Sequence, residues 1–164
     1  MPTSEAPTRI AVTGHRGLPD DTVNIVDTAI RTAVRNQPKP LVGITCLADG
    51  ADQIFARAII DAGGTLHVIV PAQEYRDGLP AEAHAPYDEL IARAANVRRL
   101  PYVASTSEAH MAASKTMLDD VDTLFAVWDG QPARGYGGTA DIVTIAHDLN
   151  IPVHIIWPAG AHRD

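Results

Sequence analysis

The chain has 164 residues, 46% of them hydrophobic, and a formal net charge of −7; this is enough for one compact domain with a substantial core and cramped for two. The acidic balance argues against a general electrostatic grip on DNA, RNA or an anionic membrane, which rests on clustered Lys and Arg. One cysteine allows no internal disulfide, the opening MPTSEAPT lacks the apolar core of a secretory signal, and the apolar runs are too short to span a bilayer, so a cytoplasmic protein is expected.

In chain order, residues 1–8 read as a polar, proline-containing tail, and RIAVTG (9–14) as a buried strand, brief, rich in β-branched residues and bounded by glycine. The following TGHRGLPDD admits two readings. Gly14 would let a ligand approach the backbone, with His15 and Arg16 as donors and the Arg16 guanidinium suited to a phosphate; the same letters also describe a tight turn with solvated side chains. From PDD onward, Val23, Val26, Ile30, Ala33 and Val34 recur at the spacing of one helix face.

LVGITC (41–46) is the second strand, and its last residue, Cys46, reads as a small buried thiol. In LADGADQ, Asp49 or Gly50 caps a second helix (Ile54, Phe55, Ala58, Ile59, Ala62) and Asp52 falls in its first turn. Carboxylates at that position are stabilised by the helix dipole with or without a ligand; the functional alternative is that they hold sugar hydroxyls. LHVIV (66–70) is a third strand, followed by a helix near 86–95 and a short strand at 97–100. STSE (105–108) has the form of a capping box before a further helix.

TLFAVW (123–128) is the last strand but one. After it, Trp128 and Asp129 stand where a base would stack and be hydrogen-bonded. Gly135, Gly137 and Gly138 would bare consecutive N–H groups at a helix N-terminus, and Thr139 would cap that helix or bond a phosphate oxygen. Asp141 does not suit the same phosphate, since two anions repel; it suits a ribose hydroxyl or a developing positive charge. A plain glycine loop with a routine cap is the other reading of these residues. Ile142, Val143, Ile145, Ala146 and Leu149 make the final helix, VHIIW (153–157) the final strand, and 159–164 a short tail.

Strand and helix alternating in this way predict an α/β domain over residues 9–158, a Rossmann-like, doubly wound, mostly parallel sheet of five or six strands with helices on both faces. Ligands of such sheets bind beyond the carboxyl ends of the strands, where the strand order reverses. The expected site is therefore Gly14, His15, Arg16, Asp49, Gly50, Asp52, Trp128, Asp129, Gly137, Gly138 and Thr139, with Asp141 as the candidate catalytic group. TGHRG lacks the dinucleotide spacing GxGxxG, no Walker lysine follows a glycine loop, and the seven histidines show no HExxH or paired CxxC pattern, so neither a metal nor a cofactor is expected.

TGHR, ADGAD and VWDGQP…GGTADIVTIAHDLNIPVHII together resemble the SLOG superfamily of Rossmann-like proteins, which takes in the DNA-processing protein A and Lonely Guy groups; the likeness runs over residues 9–157. The stretch from Asp129 to Val153 is also similar to the end of nucleoside 2-deoxyribosyltransferases. Both likenesses imply a nucleotide or nucleotide-derived small ligand. Lonely Guy enzymes cleave the N-glycosidic bond of nucleoside monophosphates with a PGGxGTxxE loop and an arginine. Here that loop is reduced to Gly137, Gly138 and Thr139, Asp141 stands in place of the glutamate, and the helix that should carry the arginine offers only Lys115, which cannot reproduce the planar fork. The reading that follows is binding or sensing, with phosphoribohydrolase or deoxyribosyltransferase-like cleavage as the alternative. A homo-oligomer is expected, and single-stranded DNA binding only if Arg98, Arg99 and Arg134 gather on one face.

Overall fold

A computed structural model describes residues 6–132 and 138–163. Six strands, β1 Thr8–Gly14, β2 Leu41–Thr45, β3 Thr65–Ala72, β4 Asn96–Tyr102, β5 Thr123–Val127 and β6 Val153–Ile155, form one sheet in the order β4-β3-β2-β1-β5-β6. Every neighbouring pair is parallel. Five helices connect them: α1 Asp20–Arg35, α2 Ala51–Asp61, α3 His84–Arg93, α4 Ser107–Met117 and α5 Thr139–Asp148. The chain steps outward from β1 to β4 and then returns to lay β5 beside β1, so the order reverses between β1 and β5.

Side chains alternate across a strand, and the core divides accordingly. Ile10, Val12, Phe125 and Val127 pack with Val26 and Ile30 of α1 and with Phe55 and Ile59 of α2. Their neighbours Ala11 and Leu124 join Ile44, Val68 and Val70 against Met111 and Met117 of α4 and Ile142 and Ala146 of α5. Gly43 faces α2 in the middle of β2, where a Cβ would lie 2.5 Å from Ile59 Cγ1 and 3.0 Å from Phe55 Cε2. The missing side chain is what lets α2 close onto the sheet.

The sequence pattern locates all six strands, and the structure adjusts their ends. β4 runs two residues past the expected 100 and begins one before 97, because ladder hydrogen bonds to β3 continue where side chains at this sheet edge are exposed and carry no apolar signal. β6 stops at Ile155, short of Trp157. The expected capping box is displaced by one: Thr106, not Ser105, caps α4, its side chain accepting from the Ala109 amide at 3.2 Å. Ser105 Oγ instead lies 2.8 Å from His110 Nε2. Among the described residues no helix is long and apolar enough to cross a membrane.

Gly43→Ala is expected to lower the unfolding free energy by about 1–3 kcal/mol through overpacking. In the double variant with Ile59→Ala the two losses should sum to less than their separate values, as read by urea denaturation. Strict additivity would show that the β2–α2 contact is looser than described.

Candidate functional site

The loops after β1 and β2 are fastened to each other. Gly50 is the residue before α2, with φ +84°, and a Cβ there would sit 2.6 Å from the His15 carbonyl oxygen. The Ala51 amide donates to that same oxygen at 3.3 Å. Gly14 is equally crowded, since a Cβ would lie 2.4 Å from Ala51 Cβ and 2.8 Å from Val127 Cβ. Both glycines are thus accounted for by close packing of protein on protein.

Asp49 does not cap α2. Its carboxylate accepts from Arg16 Nε at 2.8 Å and from the Gly17 amide at 2.9 Å, clamping the first loop onto the second. This fixes the guanidinium while its two terminal nitrogens make no hydrogen bond among the described residues, and 44% of the side chain is exposed. A guanidinium held by one edge and open at the other is arranged to take an oxyanion.

Beneath Arg16 a cleft of about 100 Å³ opens at the carboxyl ends of β1, β2 and β3. Val12, Pro71 and Met117 form apolar walls, and Asp52, Tyr75, His110 and Ser114 supply polar groups. His110, Ser114 and Met117 recur at the spacing of one face of α4; Lys115 is exposed and does not line the cleft. Leu47, just behind the cleft wall, is fully buried with φ +59°, a left-handed conformation that costs a leucine roughly 1–2 kcal/mol. Its turn aims the Ala48 amide at Asp52 Oδ2, 3.2 Å away.

Asp52 is only 8% exposed. Burial pushes its carboxyl from 3.8 up to about 7, against the opposing pull of the Ala48 amide and the Arg16 charge. Burial also pushes the Cys46 thiol well up, with the Asp52 charge adding to it, so Cys46 stays a thiol. The Tyr75 hydroxyl rises for the same leading reason, and burial lowers His110, which stays neutral. Near pH 7 the cleft therefore contains one group poised to change charge, Asp52.

His15, Trp128 and Asp129 meet at the ends of β1 and β5. His15 is buried, its ring edge-on to Trp157 at 5.4 Å. Its Nε2 accepts from the Asp129 amide at 3.0 Å. Asp129 Oδ1 lies 3.2 Å from the same nitrogen, ready to accept if the ring takes up a proton. Burial acts to raise the Asp129 carboxyl, and the Gln131 amide, His15 and Arg163 outweigh it, leaving it below the usual range. Trp128 Nε1 donates to the Gln131 carbonyl at 2.8 Å. This cluster lies between the ends of β1 and β5, where the strand order reverses, and the cleft opens at the end of β1 toward β2 and β3.

Thr139 is buried in the first turn of α5, with Gly138 as the residue before it and Asp141 two residues on. Gly137, with Gly135, Tyr136 and Arg134, lies outside the described residues. Arg98 and Arg99, adjacent on β4, cannot share a sheet face: Arg98 lines a groove with Met117 of α4, and Arg99 acts on Tyr87 of α3. Among the described residues no group of three or more His, Cys, Asp or Glu is placed to hold a metal ion.

Sequence reasoning picked out Arg16 and Asp52 and did not assign a role to Tyr75, His110 or Ser114. The i, i+4, i+7 pattern on α4 and the position of Tyr75 after β3 were the available signals.

No family model matches the chain, and no curated protein is similar to it. Solved structures of the same fold are found. DNA processing protein A from Streptococcus pneumoniae aligns with a TM-score of 0.67 at 17% identity, over 94% of this chain and 52% of that one; the present chain thus spans about half its length. DNA processing protein A from Helicobacter pylori, described for its single-stranded DNA binding mode, gives 0.67 at 15% identity over 96% and 69%. The molybdenum cofactor binding protein of Rippkaea orientalis gives 0.58 at 14% identity over 94% and 79%. The fold, a Rossmann-like α/β fold, is what the chain shares with these structures.

The buried carboxyl has a thermodynamic signature. The native state binds a proton that the unfolded state has already released between pH 3.8 and about 7, so stability falls as pH rises through that window and levels off above it. Asp52→Asn removes this fall. Relative to the wild type, the variant should gain on the order of 4 kcal/mol between about pH 4 and 8. Denaturant unfolding of the two proteins across that range measures it, and a constant difference would contradict the assignment.

Proposed function

We propose that this protein binds a nucleotide-derived small ligand, in the cytoplasm, across the carboxyl ends of the parallel strands. One observation carries the reading: the Arg16 guanidinium, held by Asp49 through one edge, opens over a cleft of buried polar groups at the ends of β1–β3. Arg16 takes a phosphate, and the N-terminal turn of α5, Gly138 with Thr139, offers a second anion position. Asp141 in that turn is assigned to a sugar hydroxyl. Support also comes from the fold, since the Rippkaea orientalis neighbour is a binding protein for a small cofactor. Binding of single-stranded DNA, as described for the Helicobacter pylori neighbour, is less favoured, because Arg98 and Arg99 diverge.

A second reading is cleavage of an N-glycosidic bond. The observation that favours it is Asp52, whose carboxyl is half protonated near pH 7 and can protonate a departing base, with Asp141 set against the ribosyl cation. Incubation with nucleoside monophosphates should then release free base, abolished by Asp52→Asn and by Asp141→Asn. A flat time course removes this reading and leaves binding untouched.

For binding, a nucleoside monophosphate at about 100 times its Kd should raise the melting temperature by roughly 5–10 °C. Arg16→Ala should weaken affinity about 10- to 100-fold, the loss of a charge-assisted pair. If millimolar nucleoside mono- and diphosphates leave the melting temperature unmoved, the reading fails.

A further inference from the structure

The cleft beneath Arg16 is built more specifically than phosphate binding requires. Tyr75 is 3% exposed, its ring set against Tyr87 and edge-on to His110 at 5.5 Å. Its hydroxyl has no hydrogen-bond partner among the described residues. No buried side-chain nitrogen or oxygen among them lacks a partner, so the hydroxyl must reach solvent, and the cleft its ring lines is the way out. Asp52, 8% exposed, lines the same cleft and accepts the Ala48 amide through Oδ2, leaving lone pairs for further donors. A volume of about 100 Å³ is well below the roughly 300–1,000 Å³ of sites that enclose a drug-sized ligand. It is smaller than the roughly 150 Å³ cavity that takes a whole benzene ring, so it admits the edge of a ring between the apolar walls of Val12, Pro71 and Met117, with the rest of the molecule outside.

A carboxylate accepts only, and its two oxygens are best matched by two adjacent donors. Among common heterocycles, the edge that offers a ring N–H beside an exocyclic amino group is the 2-amino-4-oxo-pyrimidine edge of guanine and of pterins. Adenine and cytosine place a lone pair next to their amino group, and uracil linked to a sugar through N1 places carbonyls on both sides of its remaining N–H. We propose that the cleft is a subsite for a ring with the 2-amino-4-oxo-pyrimidine edge, read by the Asp52 carboxylate, with the Tyr75 hydroxyl donating to a ring acceptor and Arg16 holding the phosphate at the mouth. This rests on the nucleotide-derived reading above and names the part of the ligand that enters first.

The proposal ties binding to a proton. Facing Asp52 are Arg16, already paired with Asp49, together with Cys46 and Tyr75, which burial raises, and His110, which burial lowers. Ring donors favour the ionised carboxyl, so the bound form loses the proton that the free form half retains. Affinity for the ring then rises with pH through about 7 and levels off above it.

Titration calorimetry on the full chain with GMP, AMP, neopterin phosphate and inorganic phosphate, in two buffers of different ionisation enthalpy, tests this. At about pH 8, GMP or neopterin phosphate should bind at least about tenfold more tightly than AMP, with proton release when the titration is repeated near pH 7. The tighter of the two identifies the ring. Asp52→Asn should erase both the preference and the proton release while phosphate binding persists, and Tyr75→Phe, which keeps the ring packing, should weaken the preferred ligand alone. GMP, neopterin phosphate and AMP binding within about threefold of one another, or a preference that survives Asp52→Asn, overturns the subsite and leaves nucleotide binding intact. Failure of every nucleotide to bind overturns both.

Discussion

The candidate site depends on the clamp that Asp49 places on the loop after β1. One carboxylate holds the Arg16 side chain and the Gly17 amide together, and the loop it holds is already pressed against Gly50 and Ala51 so closely that no Cβ fits at Gly50. Loosening that contact would free the guanidinium to sample many rotamers, and an anion would have to order it on arrival. With the clamp in place that cost is met during folding, which is how preorganisation raises affinity without adding contacts.

The same loops carry two local costs beside the cleft. Asp52 loses solvation for its charge, and Leu47 adopts a backbone conformation better suited to glycine. Backbone strain and burial of an ionisable group cluster at sites that do something, because the rest of the fold must over-determine them. Here the rest of the fold is the two-sided core: α1 and α2 against one face through Phe55 and Ile59, α4 and α5 against the other through Met111, Met117 and Ile142. The cleft sits where α4 passes over the ends of β1–β3, so one wall belongs to each layer.

Where the strand order reverses, between β1 and β5, described polar residues bond to one another. A histidine there is locked between Asp129 and Trp157, and Arg163, the last described residue, closes on Asp129 at 3.4 Å. Trp128 and Asp129 hydrogen-bond within their own turn. Residues that look alike in sequence, a polar loop after a strand with Asp and Trp in one case and Asp in the other, have thus been given different work: one bonds its own turn and His15, the other shapes the mouth of a cleft.

The sequence by itself determined the layers. Alternating β-branched runs and helical stripes sufficed for six strands and five helices, because burial of one face is written residue by residue in the periodicity of the apolar side chains. It also singled out Arg16, Asp49 and Asp52, since each follows a strand. It did not determine what those residues touch. That Asp49 clamps Arg16 rather than capping α2, that a Cβ at Gly14 or Gly50 would collide with neighbouring protein atoms, and that Tyr75 and three residues of α4 line one cleft with Asp52 were decided by tertiary structure alone. The Asp49 clamp alone spans 32 and 33 residues, and no local pattern records the partner that a side chain finds only after the sheet has brought distant loops to the same end.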